Sequence, residues 1–150
     1  MEEQRKWDRR FMGLGLHVAG WSRDGGRRTG CVVVGPAPGR EIRATGYNGF
    51  ARGVDDSVAE RLERPAKYLW TEHAERNAVY NAVRAGVSLL GCTAYVPWYP
   101  CADCARALLQ SGIGPPPVDM AASMQSGGPV FIEPPPGPNG EPGQAVRIMK

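Results

Sequence analysis

Three side chains that can bind a transition metal lie in two short segments of the chain. His73 is in one segment, and Cys101 and Cys104 form a C-x-x-C pair in the other. Residues three apart in the first turn of a helix point to the same side, so both cysteines can bind one ion. Imidazole and thiolate groups are the usual protein ligands of zinc. The sequence therefore predicts a zinc site made at the beginnings of two helices.

The number of ligands favours a catalytic zinc site over a structural one. A structural site has four protein ligands, whereas a catalytic site keeps one position for water. Two other cysteines, Cys31 and Cys92, are predicted to be buried beside or within strands, and His17 belongs to an earlier helix. A structural zinc clip and a redox C-x-x-C pair are the alternatives. A structural clip has no use for the nearby Glu75, and a redox pair leaves His73 unexplained.

Glu75 follows His73 by two residues and completes the set of reactive groups. At that distance its carboxylate reaches a metal-bound water without being a ligand. Zinc lowers the pKa of such a water to about 7, and a neighbouring carboxylate can take its proton and pass it on. These groups suit the hydrolytic removal of an amino group, with Glu75 as the proton shuttle.

Two motifs carry a family resemblance. His73-Ala74-Glu75 and Pro100-Cys101-Ala102-Asp103-Cys104 match the H-x-E and P-C-x-x-C signature of zinc nucleobase deaminases. The wider sequence, from about Trp7 to Ile113, resembles deoxycytidylate (dCMP) deaminases, on the segments Gly46-Tyr47-Asn48-Gly49-Phe50, His73 to Val79 and Gly91 to Val96. The chain departs from that pattern at Ala51, where a proline is expected. It departs again after Gly114, where the family continues with strand, helix and strand.

The resemblance implies a role for each site residue. His73, Cys101 and Cys104 would hold Zn2+, and Glu75 would be catalytic. Asn48 would contact the sugar of the nucleotide, while Trp98 and Tyr99 would wall the base. The loop before His73 carries four cations. Because the planar fork of arginine suits phosphate, Arg52 and Arg64 are favoured as its ligands over Arg61 and Lys67.

The hydrophobic pattern supplies the elements that position these groups. Hydrophobic residues recur at helical spacing from Trp7, which predicts a helix that ends near Gly20. Two strands, 31–34 and 42–47, are predicted to form a hairpin. Residues 48–70 are predicted to be a long loop with one short helix. A helix over 73–85, with alanines on one face, precedes a strand over 93–96 and a helix that begins at Pro100. This order predicts a three-layer α/β/α sandwich around a mixed sheet, of the kind found in cytidine deaminases.

Composition divides the 150 residues near Gly114. Nine of the 14 prolines lie from Pro115 onward. We therefore predict a zinc deaminase domain over 1–114 and an irregular, Pro/Gly-rich tail over 115–150. The net charge of +3 is too small for the basic surface of a dedicated nucleic-acid binder. The sequence shows neither a membrane span nor a signal peptide, so the cytoplasm is the expected compartment.

Together with the motifs, the resemblance implies a zinc-dependent enzyme that converts dCMP to dUMP and ammonia, acts on a small nucleotide and forms a homo-oligomer. Two alternatives stay open. One is a related deaminase that acts on tRNA adenosine, a nucleoside or a free base. The other is a catalytically inactive, zinc-stabilised interaction module.

Overall fold

The computed structural model describes residues 2–98 and 100–114. Within these residues, three strands form an antiparallel sheet in the order β2-β1-β5, with β1 at Gly30–Val34, β2 at Ile42–Tyr47 and β5 at Thr93–Tyr95. In the register of this sheet, Val33 lies opposite Ala44 on one side and Ala94 on the other. A second, two-stranded pair joins β3 (Gly49–Phe50) to β4 (Thr71–Glu72).

Helices cover both faces of the sheet. The helix α1 (Glu2–Ala19) lies on one face, and α3 (Ala74–Ala85) and α4 (Ala102–Gln110) lie on the other. A 3-10 helix at Ala59–Leu62 and the short helix α2 (Lys67–Trp70) lead into β4. Among the described residues, no helix combines the length and hydropathy required to cross a bilayer.

The central strand β1 is buried along its whole length and divides the hydrophobic core into two parts. Successive side chains of a strand point to opposite faces. Cys31 and Val33 therefore pack in the core beneath α3 and α4, whereas Val32 and Val34 pack with Phe11 under α1. This arrangement confirms the predicted three-layer α/β/α architecture.

The face of α3 that meets the sheet is lined by small side chains. Ala74, Ala78 and Ala82 are buried there, as their helical spacing predicts, but Ala85 is exposed because the helix ends beside it at Gly86. Opposite them, Gly46 of β2 lies so close that an added Cβ would come within 2.8 Å of the carbonyl carbon of Asn77. The strand and the helix that carries Glu75 are thus held in close contact.

Two features differ from the predictions. The described sheet is antiparallel rather than mixed, because β1 pairs antiparallel with both of its neighbours. Residues 48–70 are not one loop with a single helix, since β3 and the 3-10 helix also fall within them. Two-residue strands are too short to show a hydrophobic period. The predicted Pro/Gly-rich tail over 115–150 lies outside the described residues.

Candidate metal centre and cavity

The three candidate ligands come together at the beginnings of α3 and α4. His73 directly precedes α3 and Cys101 directly precedes α4, and both have extended backbone conformations. Neither side chain caps its own helix, so both are available to a ligand. The Nδ1 atom of His73 lies 3.5 Å from the Sγ of Cys101 and 3.4 Å from the Sγ of Cys104.

These separations match the dimensions of a tetrahedral zinc site. Zinc bonds of about 2.3 Å to sulfur and about 2.05 Å to nitrogen, at a tetrahedral angle, place N and S about 3.5 Å apart. All three ligand atoms lie within 4.8 Å of one another. The residues present therefore fit zinc, with three protein ligands and a fourth position left for another group. The predicted clustering of His73, Cys101 and Cys104 is what the structure shows.

Glu75 is buried against this cluster. Its side chain lies in the first turn of α3 and is only 5% exposed. Burial raises the pKa of the Glu75 carboxyl, and the charge of His73 opposes that rise. Burial also raises the pKa of the Cys104 thiol, helped by the nearby charge of Glu75. Negative charge is therefore unfavourable at this point without a cation, and a divalent metal ion supplies one.

A cavity of about 450 Å3 opens in front of the cluster. This volume is typical of small-molecule sites. Of the predicted site residues, His73, Cys101, Glu75, Asn48, Arg64 and Trp98 line its wall. Tyr99, predicted to wall the base, lies outside the described residues.

The structure does not bring Arg52 to this cavity. Its guanidinium donates a hydrogen bond to the amide oxygen of Asn81, in a separate groove lined also by Trp21 and Tyr80. The β3–β4 pair places residue 52 beyond Phe50 and away from His73. Because the sequence does not reveal this two-stranded pair, the direction of Arg52 could not be predicted.

Asn48 lies in the cavity wall and holds the loop that leads into β1. Its side-chain oxygen accepts a hydrogen bond from the backbone N–H of Thr29 at 2.8 Å. Its side-chain nitrogen donates to the backbone oxygen of Arg27 at 2.9 Å. An amide oxygen can accept a second hydrogen bond, so Asn48 keeps the capacity to contact a ligand.

Sequence reasoning missed Arg27. It lies in the loop between α1 and β1, and its guanidinium is 4.5 Å from the ring centroid of Trp98. Arg27, Arg28, Arg64 and Trp98 together line a basic opening that shares Arg27, Arg64 and Trp98 with the cavity. The adjacent pair Arg27 and Arg28 is visible in the sequence, but only the fold shows that the pair lines the same opening as Arg64.

Arg76 was also missed, and it links the two helices that carry the ligands. Its guanidinium forms an ion pair with Glu72 just before His73, and its Nη1 lies 3.9 Å from the Asp103 carboxylate in α4. The exposure of Glu72 and Arg76 side chains is only 24%, so solvent screens their attraction less than at a free surface. The Glu72 carboxylate also accepts a hydrogen bond from the backbone N–H of His73 at 3.2 Å.

Comparisons with known proteins agree with this site. The family model described as the cytidine and deoxycytidylate deaminase zinc-binding region matches residues 5–118. A protein of Aliivibrio fischeri described as a deaminase in the luxG 3′ region is 40% identical over 72% of this chain and 69% of its own length. The human deoxycytidylate deaminase is 31% identical over 75% of this chain and 64% of its own. A probable deoxycytidylate deaminase of Caenorhabditis elegans is 38% identical over 72% of this chain but only 54% of its own length.

A solved structure has a similar fold. The dCMP deaminase of cyanophage S-TIM5, in complex with dCMP and dUMP, superposes with a TM-score of 0.63. Its sequence identity is 21%, over 81% of this chain and 91% of that chain. The segment matched by the family model contains all three candidate ligands and the buried carboxylate beside them.

Proposed function

Because the chain belongs to the cytidine and deoxycytidylate deaminase zinc-binding family, we propose that it hydrolyses dCMP to dUMP and ammonia. The observation that carries this proposal is the joint placement of three zinc ligands and the buried carboxylate of Glu75. That carboxylate faces a cavity whose mouth is basic. The names of the relatives support the choice of a cytosine deoxynucleotide as substrate.

The side chains divide the chemistry among them. His73, Cys101 and Cys104 would hold the ion, and zinc in that position supplies a water molecule of lowered pKa. Glu75 moves the protons, first to the ring nitrogen N3 of the cytosine and then to the departing amino group. Glu75 would take each of these protons from the water that is consumed, so its carboxylate must be ionised when the reaction begins and protonated when it donates. Water is consumed and ammonia leaves.

The cavity wall supports a phosphorylated substrate. The Trp98 ring offers an apolar surface for the base, and the amide of Asn48 is available to the sugar. Arg64 and Arg27 provide guanidinium groups at the opening, where a 5′-phosphate would leave the cavity. We therefore assign the phosphate to Arg64, as predicted from the sequence, and to Arg27 in place of Arg52.

The same family relationship leads us to propose a homo-oligomer. Apolar side chains are exposed on the outer side of α3 and beyond its end. Tyr80 and Val83 are three residues apart in the helix and so point the same way, and Leu90 is 74% exposed. Light scattering after size exclusion tests this proposal. Val83→Glu would lower the molar mass of an oligomer that uses this face and would leave a monomer unchanged.

Ammonia release from a panel of substrates tests the proposed activity. The purified chain is assayed for zinc by elemental analysis and for turnover of dCMP, CMP, deoxycytidine, cytosine, AMP and an RNA hairpin that contains adenosine. We expect one zinc per chain and the highest kcat/KM with dCMP. Loss of the phosphate should lower kcat/KM by about 100-fold, because the arginines at the opening would then have no partner.

Other results of this panel identify the alternatives. Turnover of adenosine in an RNA hairpin, or of a nucleoside faster than its nucleotide, would indicate a related deaminase with another substrate. Bound zinc without ammonia from any substrate would contradict the proposal and favour an inactive, zinc-stabilised module.

A further inference from the structure

Two segments that are far apart in sequence supply the basic opening of the cavity. The loop between α1 and β1 carries Arg27 and Arg28, and the segment before α2 carries Arg64. The guanidinium of Arg64 stacks at 5.7 Å on the ring of Tyr68, whereas Arg27 stacks on Trp98. A phosphate held by arginines from both segments requires that the two segments keep a fixed distance.

An ion pair joins the two segments behind the opening. The Nζ of Lys67, the first residue of α2, lies 2.9 Å from one carboxylate oxygen of Asp24 and 3.2 Å from the other. The two side chains are only 17% and 11% exposed. The pair is therefore shielded from solvent, unlike an ordinary surface ion pair.

Two further groups hold the Asp24 carboxylate in place. Its carboxylate accepts the N–H of Gly26 at 2.8 Å and lies 3.4 Å from the side-chain nitrogen of Asn48. Burial raises the pKa of Asp24, but the hydrogen bonds from Lys67 and Gly26 and the charge of Arg64 outweigh it, so the pKa is lowered. The carboxylate is ionised at neutral pH and bound to the ammonium of Lys67.

We propose that Asp24 and Lys67 are a positioning pair, which holds Arg27 and Arg64 at the spacing that a substrate phosphate needs and does not itself bind the phosphate. This inference rests on the proposed function. Lys67 is one of the four cations in residues 52–67 that the sequence offers as phosphate ligands, although the planar fork of arginine is favoured there. In the structure, the ammonium of Lys67 donates hydrogen bonds to both carboxylate oxygens of Asp24.

Steady-state kinetics with two substrates test the pair. Asp24→Asn, Lys67→Met, Lys67→Arg and the double variant Asp24→Asn/Lys67→Met are compared with the parent on dCMP and on deoxycytidine. We expect either single substitution to raise KM for dCMP about tenfold, with kcat changed less than twofold. The double variant should be no worse than either single variant, Lys67→Arg should restore most of the affinity, and kcat/KM for deoxycytidine should not change.

A matched control exists on the same loop. Arg23, next to Asp24, pairs with Asp56 at 2.7 Å, and both side chains are far more exposed. Asp56→Asn removes an ion pair of this loop that does not line the cavity, and it should leave KM for dCMP unchanged. A tenfold increase in this control, or equal losses with dCMP and deoxycytidine, would mean that the pair supports the fold in general and would overturn the proposal.

Direct binding of phosphate by Lys67 predicts a different result. Asp24→Asn would then free the ammonium and leave KM for dCMP equal or lower, while Lys67→Met alone would raise it. That outcome would overturn the positioning role.

A thermal readout separates failure of this inference from failure of the proposed function. Inorganic phosphate, compared with chloride at equal ionic strength, should raise the Tm of the parent and not that of Asp24→Asn. If the parent deaminates nothing but shows this difference, the proposed function falls and the positioning pair stands. If phosphate raises the Tm of both proteins equally, or of neither, the positioning pair falls.

Discussion

A carboxylate buried beside three metal ligands is the residue whose chemistry depends most on its surroundings. Glu75 is surrounded by protein on most sides, and its pKa is raised by that burial. Glutamine has nearly the same shape but carries no proton that it can transfer. The two residues therefore differ in proton transfer and not in packing.

We predict that Glu75→Gln lowers kcat for dCMP by about 1000-fold, the size of a lost general acid-base group, while zinc content stays at the level of the parent. Ammonia release and elemental analysis measure the two quantities. Glu60→Gln, at an exposed position in the 3-10 helix, is the control and should be as active as the parent. Activity of Glu75→Gln within tenfold of the parent would contradict the assigned role.

Residue types and spacing were sufficient to predict the metal centre. His73, Cys101 and Cys104 could be predicted because each lies at the start of a helix, and local sequence determines where a helix starts. The arginines were harder, because the destination of a long side chain depends on tertiary contacts. Arg52 and Arg64 look equivalent in the sequence, yet the β3–β4 pair turns only Arg52 into the groove beside Asn81.

At the scale of elements, close contacts at glycines determine how the helices sit on the sheet. Gly30 begins β1 directly under α1, and a Cβ there would overlap the backbone oxygen of Gly15 and come within 2.6 Å of the Ala19 nitrogen. By contrast, Gly13 is on the exposed side of α1 and a Cβ there would meet nothing within 4 Å. One face of α1 thus has room for a methyl group on Gly13, whereas the opposite face lies too close to β1 to admit a methyl group on Gly30.

These two glycines give a matched pair of predictions. Gly30→Ala should lower the free energy of unfolding by about 1–3 kcal/mol or more, because helix and strand must separate to admit the methyl group. Gly13→Ala should raise it by about 0.5–1 kcal/mol, because alanine loses less backbone entropy in a helix. Urea unfolding followed by circular dichroism measures both. Equal effects of the two substitutions would show that α1 does not pack on β1 as described.

The longer elements were predictable and the shortest were not. Helical spacing in α1, the alanine face of α3 and the β-branched run of β1 each repeat often enough to reveal a period. The two-residue strands β3 and β4 contain no repeat, and they form because backbone groups of Gly49 and Phe50 meet Glu72 and Thr71. The antiparallel character of the described sheet also follows from such non-local pairing.

At the scale of the described molecule, the metal centre connects two helices, α3 and α4, that also share one hydrophobic core. Leu108 of α4 packs with the alanines of α3 and with Val33 of the sheet. The metal ligands lie at the N-terminal ends of the two helices. There Arg76 forms ion pairs with Glu72, just before α3, and with Asp103 of α4. An ion bound there would hold α4 in place and thereby close the cavity wall formed by Cys101 and Asp103.

Removal of zinc should therefore destabilise the described fold as a unit. A ligand that binds only the folded state at 1000 times its Kd adds about 4 kcal/mol, so a chelator should lower the Tm by about 10 °C or more. Cys101→Ala truncates an exposed side chain, so it should lose zinc at little cost in packing, and its Tm should not respond to the chelator. Cys92→Ala, at a buried position outside the cluster, should have a lower Tm but keep the full response. Differential scanning calorimetry measures these shifts, and an equal chelator response in Cys101→Ala and the parent would show that the ion is held elsewhere.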